Sequence, residues 1–416
     1  MSAHTALQNW LTEHGGHFHL DAHFSEVPSG ALVIAAQDIA ADETIASCPF
    51  DLVITRDLAL DALSVLLGSD SRFSLEEWPT RQLLSSYLAF HAIVEERSSF
   101  PVLAHHVYVD SLPDCSQLRT PLHFSPSELE DLRGSNLHGA TIDRERDWRR
   151  EWTQCRDTLV RFKREWSEQF TWERYLTAAT HISSRAFPST LLSRAPSLSA
   201  PDSEPMLLPG IDALNHARGT AVSWVSNYIG NDAIPGPGSS ISLVLHDKTP
   251  AGAELFNNYG PKPNAELILG YGFSLPENPD DTIVLKIGGL AGKSWEVGRH
   301  AKGAEGLWES ILQSFSEEDK SITYEEYLDA SSMLSEMVIG LLDKLPVISA
   351  EGIREEVALM IEHYIQGPSQ FYCLFASAHG LVGQRNILED LIEFAASKEA
   401  IGIAMAEEQG IKIVLE

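Results

Sequence analysis

LLPGIDALNHARG, Leu207 to Gly219, and ELFNNYGPKPNAELILGYGFSLPENPDD, Glu254 to Asp281, are the two stretches on which the reading of this sequence turns. Each mixes glycines, which free the backbone, with apolar residues and a few polar groups. Asn215-His216 follows an apolar run, and Tyr259 sits on a turn beside Asn257, Asn258 and Gly260. Polar groups placed this way are rarely spent on packing alone.

Outward from these phrases, residues 31 to 55 cluster β-formers as ALVIAA, TIASCPF and DLVIT, with the acidic turn QDIAADE between the first two. They predict short strands joined by tight turns. From about residue 57 to 182 the apolar spacing is helical, as in RQLLSSYLAFHAIVEER and the stretch from Asp143 to Phe170. In that second stretch Trp148, Trp152, Leu159, Phe162 and Trp166 recur at helical steps. Its arginines alternate with acids and read as a solvated, ion-paired helix face. SRAPSLSAPDSEP (193 to 205) and GNDAIPGPGSS (230 to 240) are polar loops, after which ISLVLHD, KTPAGA and ELFNN read as strand, turn, strand. Strand segments thus lie on both sides of a helical insertion, so the sheet must join sequence-distant pieces. An α+β class follows, with an irregular β-rich fold rather than a βαβ repeat. After about residue 285, TYEEYLDASSMLSEMVIGLLDKL and EGIREEVALMIEHYI predict an all-α C-terminal domain.

The 416 residues are 44% hydrophobic and 21% charged, the balance of an ordinary globular chain. No apolar run reaches the ~18 residues of a membrane span, and the N-terminus lacks the pattern of a secretory signal. The four cysteines, Cys48, Cys115, Cys155 and Cys373, lie far apart without a CxxC pair. That argues against a zinc-thiolate site or a disulfide scaffold and for a reducing compartment, cytosol or nucleus. A net charge of -29 repels nucleic-acid phosphates and favours basic protein partners. A monomer is expected.

Other chemistries fit poorly. Gly288 to Ser294 suggests a phosphate loop after DTIVLKI, but Ile287 stands where its first glycine must be. Gly270-Tyr271-Gly272 leads into Phe273 without the third glycine of a dinucleotide fingerprint. His17 with His19, and His105 with His106, are pairs lacking further ligands at suitable spacing. There is no G-x-S-x-G elbow, and Cys115 would need a nearby base to act as a nucleophile.

Four ordered passages carry a resemblance: GALVIAAQDIAADETIASCP, TAATHISSRAF, LLPGIDALNHARG and AGAELFNNYGPKPNAELILGYGF. Together they resemble the SET-domain protein methyltransferases, in the branch of the Rubisco large-subunit lysine methyltransferase, fungal-type ribosomal-protein lysine methyltransferases included. The resemblance implies a SET domain over residues 19 to 260, interrupted by a helical insertion at about 57 to 182. Residues 261 to 416 would then form the cofactor-pocket edge and a helical substrate-binding domain. It implies an S-adenosylmethionine-dependent protein-lysine N-methyltransferase, with the Asn-His and Asn-Tyr-Gly segments packed together around the cofactor. Asn215 and His216 would hold the cofactor's amino-acid part and adenine, with Asp212 supporting their turn. Arg185 would meet the methionine carboxylate, and Tyr271, Gly272 and Phe273 would line the cofactor and lysine channel. Tyr259 would point its hydroxyl at the transferring methyl. Ser29, Gly30 and Ala31 occupy the register of a Gly-x-Gly cofactor strand, but Leu32 stands at its second glycine. No metal is implied.

These residue types suit the chemistry. A planar guanidinium matches a carboxylate, and aromatic faces favour a sulfonium. Methyl transfer needs alignment more than a strong acid. Neutralising a lysine at pH 7 costs about 4 to 5 kcal/mol, which a narrow apolar channel beside a cation supplies. On its own Tyr259 reads as a hairpin tyrosine packed on a neighbouring strand; beside Asn215-His216 and Gly270 to Phe273 it reads as functional. Phe187 suits a lysine stem better than an imidazole, so a histidine acceptor is second. A non-catalytic SET-derived module that binds basic proteins is the rival of another class. The expected target is a basic protein, ribosomal before histone-like.

Overall fold

ETIASCP becomes the seven-residue strand Glu43–Pro49, buried from Ile45 onward. It is covered on both faces and lies inside a sheet, so a continuous apolar run suits it. Pro49 ends it, because proline offers no N–H to a ladder. The computed structural model describes residues 2–28, 30–198, 200–230, 236–287, 293–316, 321–346, 352–365 and 383–413. Gly288 to Gly292 of the phosphate-loop-like phrase, Ser199, Asn231 to Pro235 and Cys373 lie outside them.

In chain order the described strands are β1 (His17–Phe18), β2 (Ala22–Val27), β3 (Gly30–Ala35), β4 (Glu43–Pro49), β5 (Phe187–Pro188), β6 (Pro205–Met206), β7 (Val222–Asn227), β8 (Ser240–Leu245), β9 (Thr282–Leu285) and β10 (Trp295–Gly298). The chain divides into two compact units, Met1–Leu118 with Arg144–Gly260, and Arg119–Asp143 with Pro261–Glu416.

The first unit is built on a four-stranded sheet of order β1-β4-β8-β7. β4 and β8 pair antiparallel from Glu43↔Leu245 to Pro49↔Ser240, with a register shift at Ile45. Strands on either side of the helical insertion are therefore joined in one ladder. β2 and β3 form a separate hairpin, Ala22↔Ala35 to Val27↔Gly30. Helix Thr80–Ile93 is buried on nearly every face, as a core helix should be. Helix Trp172–Arg185 starts at Thr171, whose side chain accepts from the Arg174 N–H, and turns Tyr175, Leu176, Ala179 and Ile182 inward.

Two predicted strands are not strands. DLVIT forms the 3-10 turn Phe50–Leu52 and a single bridge, Ile54↔Leu207. ELFNN also forms only isolated bridges, Ile34↔Glu254 and His216↔Asn257. Its backbone changes partner midway: Leu255 N–H donates to Val33 O (2.7 Å), and Asn257 N–H to Asn215 O (2.7 Å). Neither ladder lasts long enough to make a strand.

The second unit pairs β9 with β10 antiparallel, Thr282↔Gly298 to Leu285↔Trp295. Helices Ala304–Phe315, Tyr324–Leu342, Glu355–Ile365 and Gln384–Glu408 follow. Leu132 and Leu137 join Ile268, Trp308, Leu334 and Leu391 in its core.

Candidate functional site

Residues 207–219 and 254–260 meet within the first unit. Gly210 adopts a φ of 83°, a left-handed turn that glycine permits, and 3-10 turn Ile211–Ala213 follows. Asn215 and His216 then run alongside Asn257. The Asn257 N–H donates to Asn215 O at 2.7 Å, and the Ala217 N–H to Asn257 O at 3.0 Å. The Tyr259 N–H donates to His216 Nδ1 at 3.0 Å. That nitrogen is therefore unprotonated, and a neutral ring carries its proton on Nε2. The two rings stack at 5.1 Å and 20°. Tyr259 Oη donates to Leu214 O at 2.9 Å, and Asn215 Nδ2 to Glu254 Oε1 at 2.9 Å. Asn258 ties the turn, accepting from the Gly260 N–H at 2.9 Å and donating to Thr220 O at 3.0 Å.

Arg185, Asp212, Gly30 and Ala31 line a cavity of about 360 Å³ in the same unit. Arg185 is the last residue of its helix, where a cation complements the dipole. Its Nη1 donates to Asp212 O at 2.9 Å and lies 3.5 Å from Asp212 Oδ2. Tyr108 Oη donates to the same Oδ2 at 2.6 Å. Burial pushes the Asp212 carboxyl up, against the pull of Arg185 and Tyr108. Burial works against the Arg185 charge, and Asp212 first, then Tyr108 and Tyr259, raise its pKa above the ordinary value. Gly30 has a φ of 134°, and a Cβ there would meet Pro113 Cγ at 3.3 Å. Leu32, at the expected second glycine, pairs with Ser25 in the hairpin and is not part of the cavity wall. Ser29 lies outside the described residues.

Three further lining residues carry no signal in the sequence: His4 and Phe24, whose rings stack at 4.6 Å, and Tyr108. His4 is on the N-terminal helix Ala3–Glu13, far from any motif, and Tyr108 is on the four-residue helix His106–Val109. Phe187 opens β5 and meets the Trp224 ring edge-on at 6.1 Å.

Tyr271, Gly272 and Phe273 belong to the second unit. Helix Asn264–Tyr271 ends there, Gly272 capping it in the left-handed region with its N–H to Leu267 O and Ile268 O. The Tyr271 and Phe273 rings stand edge-on at 6.1 Å. At the helix start, the Asn264 N–H and Nδ2 donate to Asp281 at 2.5 and 3.0 Å. Burial still pushes that carboxyl up to about 7.

His105 and Cys115 have surroundings of their own. His105 is a core residue within 2.6 Å of Tyr87 Oη, and burial brings it down to about 4. Burial pushes the Cys115 thiol up, away from thiolate character. Among the described residues no group of three or more His, Cys, Asp or Glu could hold a metal, and no helix is long and apolar enough to cross a membrane.

No protein-family model matches the chain. Over 285 residues it is 32% identical to the ribosomal lysine N-methyltransferase set10 of Schizosaccharomyces pombe, covering 68% of this chain and 47% of that protein. Over 286 residues it is 23% identical to the actin-histidine N-methyltransferase of Canis lupus familiaris, covering 68% and 44%. The chain thus spans about half the length of the curated relatives it matches. Among solved structures it is similar to the SET domain of LSMT bound to lysine and AdoHcy, with a TM-score of 0.72, 17% identity, and coverage of 98% of this chain and 94% of that one. The fold is the α+β SET fold that the four passages predicted, and the sequence similarity runs to the branch they resemble.

Proposed function

We propose that this chain is an S-adenosylmethionine-dependent protein-lysine N-methyltransferase acting in cytosol or nucleus on a basic protein, a ribosomal protein first. The observation that carries the reading is the crossing of Asn215-His216 with Asn257-Tyr259, joined through Asp212 to the cavity of Arg185. The name of the fission-yeast relative supports the ribosomal choice.

The residues present fit the cofactor. A cavity of about 360 Å³ suits a ligand of its size. Among the described residues Arg185 bonds through Nη1 alone, so Nε and Nη2 remain for a carboxylate. The positive φ of Gly30 brings backbone to the same cavity. When bound, S-adenosylmethionine supplies an electrophilic methyl group on a sulfonium. Asn215 and His216 would hold the amino-acid part and adenine, with Asp212 supporting the turn through the Asp212 N–H to Leu208 O bond of 3.2 Å. Tyr259 commits its proton to Leu214 O, so its oxygen faces other groups as an acceptor. It can align a polarised methyl without being charged. The Phe187–Trp224 pair would give an apolar wall for a lysine stem and disfavour its ammonium form by desolvation. The lysine then needs no strong base. On the resemblance alone, Ser29, Tyr271, Gly272 and Phe273 are proposed to contact the cofactor, and the C-terminal helices to dock the target.

Calorimetry with S-adenosylmethionine is the first test; absence of binding leaves only the non-catalytic module. Given binding, Tyr259→Phe should slow methylation of a cell extract on the order of a hundredfold, the scale of a misaligned transfer. An unchanged rate refutes the role of Tyr259. Mass spectrometry of the labelled proteins identifies the acceptor, and labelled histidine in place of lysine would favour the second reading, which the actin-histidine relative keeps in view.

A further inference from the structure

We propose that Tyr108 is a positioning residue that holds the Asp212 carboxylate back from Arg185, so that the guanidinium stays available to the carboxylate of an α-amino-acid ligand. The proposal rests on the cofactor reading above and adds a residue to it.

Tyr108 is 1% exposed, and its hydroxyl stands 2.6 Å from Asp212 Oδ2, the length of a strong charge-assisted bond. The Asp212 side chain is 2% exposed and the Arg185 side chain 22%. Two such groups with nothing between them would close into a fork of two parallel bonds near 2.7 to 2.9 Å. They do not: Nη1 lies 3.5 Å from Oδ2 and bonds instead to the Asp212 main-chain oxygen at 2.9 Å. The oxygen that would complete the fork is the one that accepts from Tyr108. Arg185 is thus anchored through backbone, with its charge nearby but its Nε and Nη2 donors uncommitted among the described residues. All three side chains line one cavity, so those donors have a ligand space to serve.

The other titratable groups that face this cluster are Cys48, Tyr259 and His4, and Glu26, Asp110 and Asp114 line the same cavity. Burial, with Arg185 adding to it against Glu26, holds the His4 ring below its ordinary value. Burial and the neighbouring Asp212 push the Cys48 thiol up, so it adds no charge. Burial, then Asp212, hold the Tyr108 phenol well above its ordinary range, so it remains a donor at neutral pH.

Removing the Tyr108 hydroxyl frees Oδ2. Asp212 then closes on Arg185 and takes the donors that the ligand carboxylate needs. The test compares S-adenosylhomocysteine, which carries the carboxylate, with 5′-methylthioadenosine, which does not, by calorimetry and by displacement. In Tyr108→Phe the first should weaken about tenfold, the scale of one lost charge-assisted bond, while the second stays unchanged. Adding Asp212→Asn to Tyr108→Phe removes the competing carboxylate and should restore the first. Equal weakening of both ligands, or no weakening of either, overturns the proposal. If Tyr108→Phe alone does not fold, the double variant decides. A preserved preference for the carboxylate-bearing ligand supports the proposal, and a lost one overturns it. A wild-type chain that binds neither ligand instead refutes the cofactor reading itself.

Discussion

Two roles meet at Gly272, whose side chain is a single hydrogen, one proposed and one observed. The resemblance assigns it to the cofactor channel; the structure gives it a helix to end, at a φ of 82°. A Cβ there would stand 2.8 Å from the Arg119 carbonyl carbon and 3.0 Å from the Thr120 N. Both are backbone atoms and cannot swing aside. Gly272→Ala should therefore destabilise the protein by about 2 kcal/mol or more, from left-handed strain plus the clash. Scanning calorimetry checks it: an unchanged melting temperature sinks the capping role. Any loss of cofactor binding in that variant must be judged after its stability. The same division explains what single residues disclosed. Asn215, His216, Tyr259, Arg185 and Asp212 stood out by type and neighbours, because each phrase packs unusual polarity into a short apolar run. Tyr108 did not. Its partner Asp212 is 104 positions away, and nothing around VYVDSLP departs from ordinary helix and loop text. A residue whose role consists of one long-range bond has no local signature.

Segment Arg119–Asp143 clusters with the C-terminal helices, through Leu132 and Leu137 in their core and through an ion pair whose carboxylate is buried. Glu128, 2% exposed, caps the short helix Pro126–Glu130 and accepts from Arg354 Nε at 2.7 Å and Nη2 at 2.8 Å. Burial alone would raise this carboxyl. The Arg354 side chain, helped by the backbone N–H groups of Ser125 and Arg354, instead brings it from 4.5 down to about 2. A depressed carboxylate stabilises the fold above its ordinary value, and that share is lost as pH falls toward the folded value. Glu128→Gln should cost on the order of 3 kcal/mol at neutral pH. The gap to wild type should close between about pH 4.5 and about 2, where both side chains are neutral. Denaturant titrations at several pH values measure it, and a gap constant across that window means the pair is not ionic in its effect. The pair joins residues 226 apart, so no sequence window held it. Elements with local causes were legible: β4 and β8 as β-forming runs, Tyr324–Leu342 as a helix from its apolar spacing. ELFNN has the composition of a strand, yet its hydrogen bonds are divided between β3 and Asn215 to Ala217. Composition reports what a backbone favours, and partner choice decides what it does.

At the scale of the whole chain, the sum of charges is -29, and no fold can conceal it. It was legible at once, as was the need for a sheet that joins pieces on both sides of the helical insertion; the register that joins them, Glu43↔Leu245 to Pro49↔Ser240, depended on contacts that only the folded chain makes. If the target is a basic protein, as proposed, long-range attraction should raise encounter rates and lower KM at low salt. On the role proposed for Tyr259, the chemical step rests on its hydrogen bond to Leu214 O across the two crossing segments, and short-range geometry is screened little. KM for the protein substrate should therefore rise about tenfold or more as ionic strength goes from 0.05 to 0.5 M, while kcat and the affinity for S-adenosylmethionine hold nearly constant. A lysine-containing peptide without other charge, used as a second substrate, should lose this dependence. Steady-state kinetics across a salt series with both substrates separates the terms. A kcat that falls in step with KM would mean that the acidic surface acts on the catalytic geometry, and a KM flat in salt would mean that the target is not recognised through its charge.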